Sequence, residues 1–255
     1  MQRPIPLLQN SLLEALPPAD FARLAPSLIQ VELERGRLLY DPGDRIDLVY
    51  FPHDGVISLM TLMENGAAIE SATIGPEGAL GLMAAVAPRQ SLSRAIVQTP
   101  LRASRVAVER LHEVWEKSPA LRDLVDRHTE ALYGHAIQSV ACNALHSVEA
   151  RFCRWLLTCH DRISTDTVAL TQEFLADMLG VQRTTVTAVA RSLQEKAIIR
   201  YRRGIVDIID RAGLVALSCE CYGVIRGNYE RLLDAPAGKP LGERAERRET
   251  FGSTR

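Results

Sequence analysis

Several features are absent from this 255-residue chain, and each absence removes a class of function. No apolar run approaches the roughly 20 residues that a membrane-spanning helix needs, the longest lying around Gly78 to Ala87. The opening Met1-Gln-Arg-Pro-Ile-Pro lacks the apolar centre of a secretory signal, so a cytoplasmic location is expected. Cysteine is scarce and odd in number: there are five, none before Cys142, and no C-x-x-C pair. That argues for a reducing compartment rather than a disulfide framework. Neither G-x-S-x-G, H-E-x-x-H nor a P-loop pattern occurs, so no catalytic residue is expected and the chain does not read as an enzyme. Cys219 and Cys221, placed in one helix starting near Asp210, would stand about 200° apart around its axis. On that reading they cannot share a metal, no metal site is expected, and the thiols are small buried groups. Net charge is only −1, so any basic surface has to be local.

One segment is basic: Leu170 to Ile205 holds six basic against three acidic residues, net +3, whereas residues 1–110 are net −2. Thr171 is placed to cap a helix carrying Phe174, Leu175, Met178 and Leu179. Gly180 supplies the left-handed residue that stops it. A second helix follows, with Val186, Val189, Ala190 and Leu193 on its buried side. Gln182, Arg183, Thr184, Thr187, Ala188 and Arg191 are left on the opposite face, which suits a DNA major groove. Ile198–Tyr201 and Ile205–Ile209 then flank Arg202-Arg203-Gly204, which reads as a hairpin aimed at phosphates. The pattern predicts a winged helix-turn-helix with double-stranded DNA as its partner. Its expected DNA-binding residues are Thr171, Gln182, Arg183, Thr184, Thr187, Arg191, Arg202 and Arg203.

Upstream, Leu12, Leu13 and Leu16, then Phe21, Leu24 and Leu28, form short helical patterns. From Ile29 to about Val108 the period shortens. Short strands at Val31–Glu34, Leu38–Tyr40, Ile46–Phe51, Val56–Met63, Ala67–Ile74, Ser93–Val97 and Leu101–Val108 are separated by turns, which indicates an all-β sandwich or roll. One long helix follows over 118–145, with Gly134 its sole glycine up to Cys142. Its apolar residues cover two sides, one for the roll and one for a second copy of itself, so a homodimer is expected. His128 and His135, seven residues apart on one face, either meet their partner copies across that seam or are ordinary hydrogen-bonded histidines. A helix from Val148 to Cys159 joins the roll to the DNA-binding unit. The tail, Ala235 to Arg255, is rich in Pro, Gly, Glu and Arg and reads as disordered.

Together these parts resemble the CRP/FNR superfamily of bacterial transcription regulators. The likeness runs from about Leu12 to Tyr222 and is strongest at Leu170–Ile199 and at Leu39-Tyr40, Gly43-Asp44, Val49-Tyr50-Phe51 and Gly55-Val56-Ile57. It implies an α+β fold: an N-terminal cyclic-nucleotide-binding-like β-roll (8–117), a dimerisation helix (118–145) and a C-terminal winged helix-turn-helix (146–222). The resemblance further implies a homodimer on an inverted-repeat operator, with Arg183 where the family keeps a base-reading arginine. Thr184 and Ala188 depart from the longer residues common there. The effector-binding positions that the family supplies fall at Gly78, Ala79, Leu80, Ser93 and Arg94. A family ribose-binding glutamate is replaced by Ala79, and the family Arg-Ser pair appears inverted as Ser93-Arg94. A one-residue slip on a strand reverses the face, so Arg94 is expected to point away from a pocket. These departures argue against a cyclic nucleotide as effector, although backbone N–H groups near Gly78 could still attract an anion. Absence of N-terminal cysteines rules out the iron–sulfur mechanism of some relatives.

RNA polymerase would be a further partner of such a regulator, but no residue pattern marks its surface. Two other readings are open. One is a thiol-based redox-responsive regulator; the other is a ligand- or protein-interaction module whose helix-turn-helix only packs.

Overall fold

The computed structural model describes residues 10–233; the tail read at Ala235–Arg255 and the first two residues of the 8–117 unit lie outside them. Two short helices, α1 (Ser11–Glu14) and α2 (Pro18–Leu24), precede seven strands: β1 (Ile29–Leu33), β2 (Leu38–Tyr40), β3 (Leu48–Asp54), β4 (Ile57–Leu62), β5 (Ala68–Ile74), β6 (Arg94–Val97) and β7 (Leu101–Ala107). They pair antiparallel into two sheets, ordered β1-β7-β3 and β2-β6-β4-β5. Inward residues alternate as the strand period demands, so Tyr40, Ile57, Ile74, Val97, Leu101 and Ala103 fill the space between the sheets.

The chain leaves β7 directly into α3 (Val108–Lys117), a helix that the strand pattern did not announce. Ser118 then caps α4 (Pro119–Leu145), its Oγ accepting from the Leu121 N–H at 3.0 Å, with Pro119 at the first helical position. The first half of α4 buries Leu121, Leu124 and Val125 against Phe51, Val106 and Leu111 of the roll. His128 and His135 lie on this inner side, each only 2% exposed. Of the two alternatives for these histidines, the seam is thus not the one adopted, and His128 is hydrogen-bonded within the chain; the apolar pattern on two sides of α4 did not reveal which side faces out.

Beyond α4 come α5 (Val148–His160), β8 (Thr167–Ala169), α6 (Gln172–Leu179), α7 (Arg183–Glu195), β9 (Ile199–Arg202), β10 (Ile205–Ile208), α8 (Arg211–Leu217) and α9 (Cys221–Leu233). α5 is buried on every side from Arg151 to Cys159. One core joins Val56 and Met60 of the roll to Phe152, Trp155 and Leu156 of α5, and continues to Leu175, Val186, Leu193 and Val206. The C-terminal unit is thus seated on the roll's β4–β5 face. Arg162 fastens the edge, donating from Nη1 to Thr73 Oγ1 and from Nη2 to Glu77 Oε1, both at 2.5 Å. Among the described residues no helix is long and apolar enough to cross a membrane.

At the centre of this contact the Trp155 indole donates to Glu70 Oε1 at 3.0 Å, and Ser58 Oγ donates to Oε2 at 2.6 Å. Burial pushes the Glu70 carboxyl above the usual carboxylate range, more strongly than Ser58, Arg154, Trp155 and Arg162 pull it down. A raised folded value means that the group's contribution to stability is complete below its unfolded value and is lost as pH rises through the folded one. Glu70→Gln keeps an acceptor for Trp155 without a charge. It should raise the thermal midpoint at pH 8, with the gain shrinking on acidification; a gain that grows on acidification contradicts the assignment.

Candidate nucleic-acid interface

α6 begins where Thr171 Oγ1 accepts from the Phe174 N–H at 3.2 Å. It ends at Gly180, whose φ of 61° is left-handed, and the Val181 N–H closes back on the Ala176 carbonyl at 3.0 Å. A side chain at Gly180 would also meet Ile69 of β5, its Cβ standing 2.9 Å from Cδ1. The turn is consequently fixed by its own backbone and by the roll together. From there α7 runs with Val186, Ala190 and Leu193 inward. Gln182, Arg183, Thr184, Thr187, Ala188 and Arg191 are all exposed along its other face.

Within that face, Thr187 Oγ1 is held by Gln172 Oε1 at 2.9 Å and the Arg183 carbonyl at 3.0 Å, which ties α7 to α6. Arg191 Nε donates to Glu195 Oε1 at 2.9 Å. Both side chains are well exposed, and such a pair is weak enough to exchange for another anion.

The wing is a two-residue hairpin. Arg202 pairs with Ile205, so Arg203 and Gly204 form the loop, with φ of 49° and 77°. Two left-handed residues make the turn type that matches strand twist, and the second is the glycine such turns prefer. Arg200, Arg202 and Arg203 are exposed at or beside the tip. β8, which sequence reading missed, adds a third strand through Val168–Val206 pairing. Its outer end is tied to the roll by Arg35, whose Nη1 donates to the Ala169 carbonyl at 2.7 Å. Only three residues long, β8 leaves too short an alternation to be read.

Known proteins share this arrangement. Residues 30–118 match the family model of the cyclic nucleotide-binding domain, and residues 150–217 match that of the Crp-like helix-turn-helix domain. The global nitrogen regulator of Synechococcus elongatus is 23% identical over 217 residues, covering 81% of this chain and 96% of that protein. Its counterpart in a Nostoc species is 24% identical over 180 residues, 67% and 80% of the two chains. Among solved structures, FixK2 from Bradyrhizobium japonicum has the same fold at a TM-score of 0.64 and 17% identity, covering 75% of this chain and 98% of that one. A regulator of the Crp/Fnr family from Eubacterium rectale also gives 0.64, at 16% identity, over 82% and 98%. This chain belongs to the CRP/FNR superfamily. It is a DNA-binding transcription regulator, not an enzyme.

The CRP/FNR roll keeps its architecture here, while the positions expected to hold an effector are engaged internally. The N–H of Gly78 donates to the Gly75 carbonyl at 3.0 Å, that of Ala79 to His128 Nε2 at 3.2 Å, and that of Leu80 to the Tyr50 carbonyl at 2.9 Å. All three N–H groups thus have acceptors within the chain. Gly78 also leaves room for the imidazole: an added Cβ would stand 2.7 Å from His128 Nε2. Arg94 occupies the outward face of β6 and clamps Asp41 through two bonds of 2.8 Å. Ser93, just before that strand, is half-buried.

All five cysteines are buried free thiols, as expected, but the placement of Cys219 and Cys221 departs from expectation. α8 ends at Leu217, so Cys219 sits in the connection and Cys221 opens α9. Because they do not share one helix, the angular argument that separated them fails, and both reach Cys142 and His146 at the end of α4. Cys153 and Cys159 lie instead in the main core. Burial pushes the Cys153 thiol up to about 12, where it is inert as a nucleophile.

Accepting the Ala79 N–H requires a neutral imidazole, and burial lowers the His128 value from 6.5 to about 4. Such a histidine takes a proton in the unfolded chain well before it does so in the fold. Stability should therefore be lost as pH falls from about 6.5 to 4, by roughly 3 kcal/mol from this residue. His128→Gln, which cannot be protonated, should flatten that acid limb in denaturant titrations; an unchanged limb contradicts the assignment.

Proposed function

We propose that the protein acts as a homodimer on an inverted-repeat operator, with one α7 entering the major groove at each half-site. The outer face of α4 carries this reading. Asp126, Glu130, Tyr133, Ile137, Val140 and Ala144 recur at alternating spacings of four and three and are all exposed. That is the seam of a two-stranded coil. Tyr133, Ile137 and Val140 are 68%, 52% and 71% exposed in the single chain, an apolar stripe that pairing would cover.

In this reading Arg183, at the start of α7, reads a base edge, and Gln182, Thr184, Thr187 and Arg191 flank it along the groove floor. Thr171, exposed at the head of α6, lies beside the DNA backbone, and Arg202 and Arg203 neutralise phosphates from the wing. The unit over 8–117 tunes the seating of the unit over 146–222 through their shared core. With Gly78, Ala79 and Leu80 engaged, a cyclic nucleotide is disfavoured as the signal.

Selection from a random duplex pool should enrich an inverted repeat. On that duplex Arg183→Ala should reduce discrimination against random DNA by about 1–3 kcal/mol if the arginine is bidentate to guanine. Removing Arg202 or Arg203 should weaken binding to all sequences and lower the salt slope by about one for each phosphate no longer neutralised. Ile137→Glu should sediment as a monomer with weakened operator binding. Enrichment of no repeat, or an unchanged Arg183→Ala ratio, overturns the proposal.

A further inference from the structure

Cys142 lies in the last turn of α4 and His146 caps that helix four residues later, which places both on one side. Cys219 and Cys221 approach from the α8–α9 connection. The three sulfurs and one imidazole nitrogen all stand within 4.8 Å of one another. Cys142 and Cys219 sulfurs are 3.5 Å apart, and Cys221 Sγ is 3.5 Å from His146 Nδ1. A tetrahedral zinc with bonds of about 2.3 Å to sulfur and 2.0 Å to nitrogen implies ligand separations of about 3.5–3.8 Å. All three thiols are buried and none is in a disulfide.

We propose that Cys142, His146, Cys219 and Cys221 form a mononuclear tetrahedral site for a zinc-type divalent cation. The surroundings are those such a site uses. His146 directs Nδ1 at the sulfurs while Nε2 is 3.1 Å from Glu220 Oε1, the carboxylate–histidine arrangement that orients a ligating ring. Gln138 Nε2 donates to Cys221 Sγ at 3.0 Å, a bond that favours a thiolate. Arg151, next to the cluster on α5, joins Asn143 Oδ1 of α4 at 3.0 Å to the Leu179 carbonyl of α6 at 3.1 Å. The ion would thus staple the end of α4 to the start of α9. Four ligands from the protein close the coordination sphere, which makes the role structural or regulatory rather than catalytic.

The test uses full-length, reduced, metal-stripped protein titrated with cobalt(II). The wild type should saturate at one equivalent per chain, with the intense visible bands of tetrahedral thiolate coordination, and zinc should displace the cobalt. Cys219→Ser and His146→Ala should each lose that spectrum, Glu220→Gln should weaken binding by roughly 10–100-fold, and Cys153→Ala should match the wild type. Zinc should also raise the thermal midpoint of the wild type but not of Cys219→Ser, a readout independent of DNA binding. A weak octahedral spectrum from the wild type, or a bound cobalt spectrum unaltered by Cys219→Ser, overturns the site. Recovery of the protein under reducing conditions with a Cys142–Cys219 disulfide overturns it in favour of redox chemistry.

Discussion

Burial of α5 on every side is the constraint from which the rest of this structure follows. A helix whose residues from Arg151 to Cys159 are all covered cannot sit at the edge of a domain. It needs an apolar surface on one side and a different one on the other, and the chain provides the β4–β5 sheet and the helix-turn-helix. Trp155 sets the register of that sandwich because its indole N–H, once buried, must find an acceptor, and Glu70 of β5 supplies it. Arg162 to Thr73 and Glu77 then closes the rim. The DNA-binding unit therefore has a defined seat rather than a loose tether, and its α7 face and wing tip project from that seat.

That arrangement bears on how a signal could travel. The turn at which the resemblance places an effector is here bonded to Gly75, His128 and Tyr50, and His128 sets the inner wall of α4 against it. The outer wall is the proposed dimer seam. What is left is the end of α4, where the thiol–imidazole cluster meets α9 and where Arg151 leads on to α6. An ion there would act on the relation between dimer helix and DNA-binding unit by a route that bypasses the roll's interior.

Much of this was legible in the residues themselves. Seven roll strands were readable from short alternating runs bounded by Gly, Pro, Asn and Asp, because each strand has one face inward. Thr171, Gly180 and the Arg203-Gly204 turn were readable because caps and tight turns are local chemistry. α3 was hidden because it follows β7 without a break, and β8 because three residues carry no period. The faces of α4 could not be assigned because apolar residues lie on both sides and only packing decides which becomes exposed. The cysteine cluster was missed for a sharper reason: a helix was extended through Ser218 to Glu220, where the chain instead turns. Spacing of two is incompatible with shared ligation in a helix but suits a loop.

Whether two chains read one duplex together is the central matter, and hydroxyl-radical footprinting on a selected duplex addresses it most directly. A paired reader predicts two protected patches related by a two-fold axis, their centres one helical turn of about 10 bp or a multiple apart. A single asymmetric patch, or uniform protection without a centre, would contradict it.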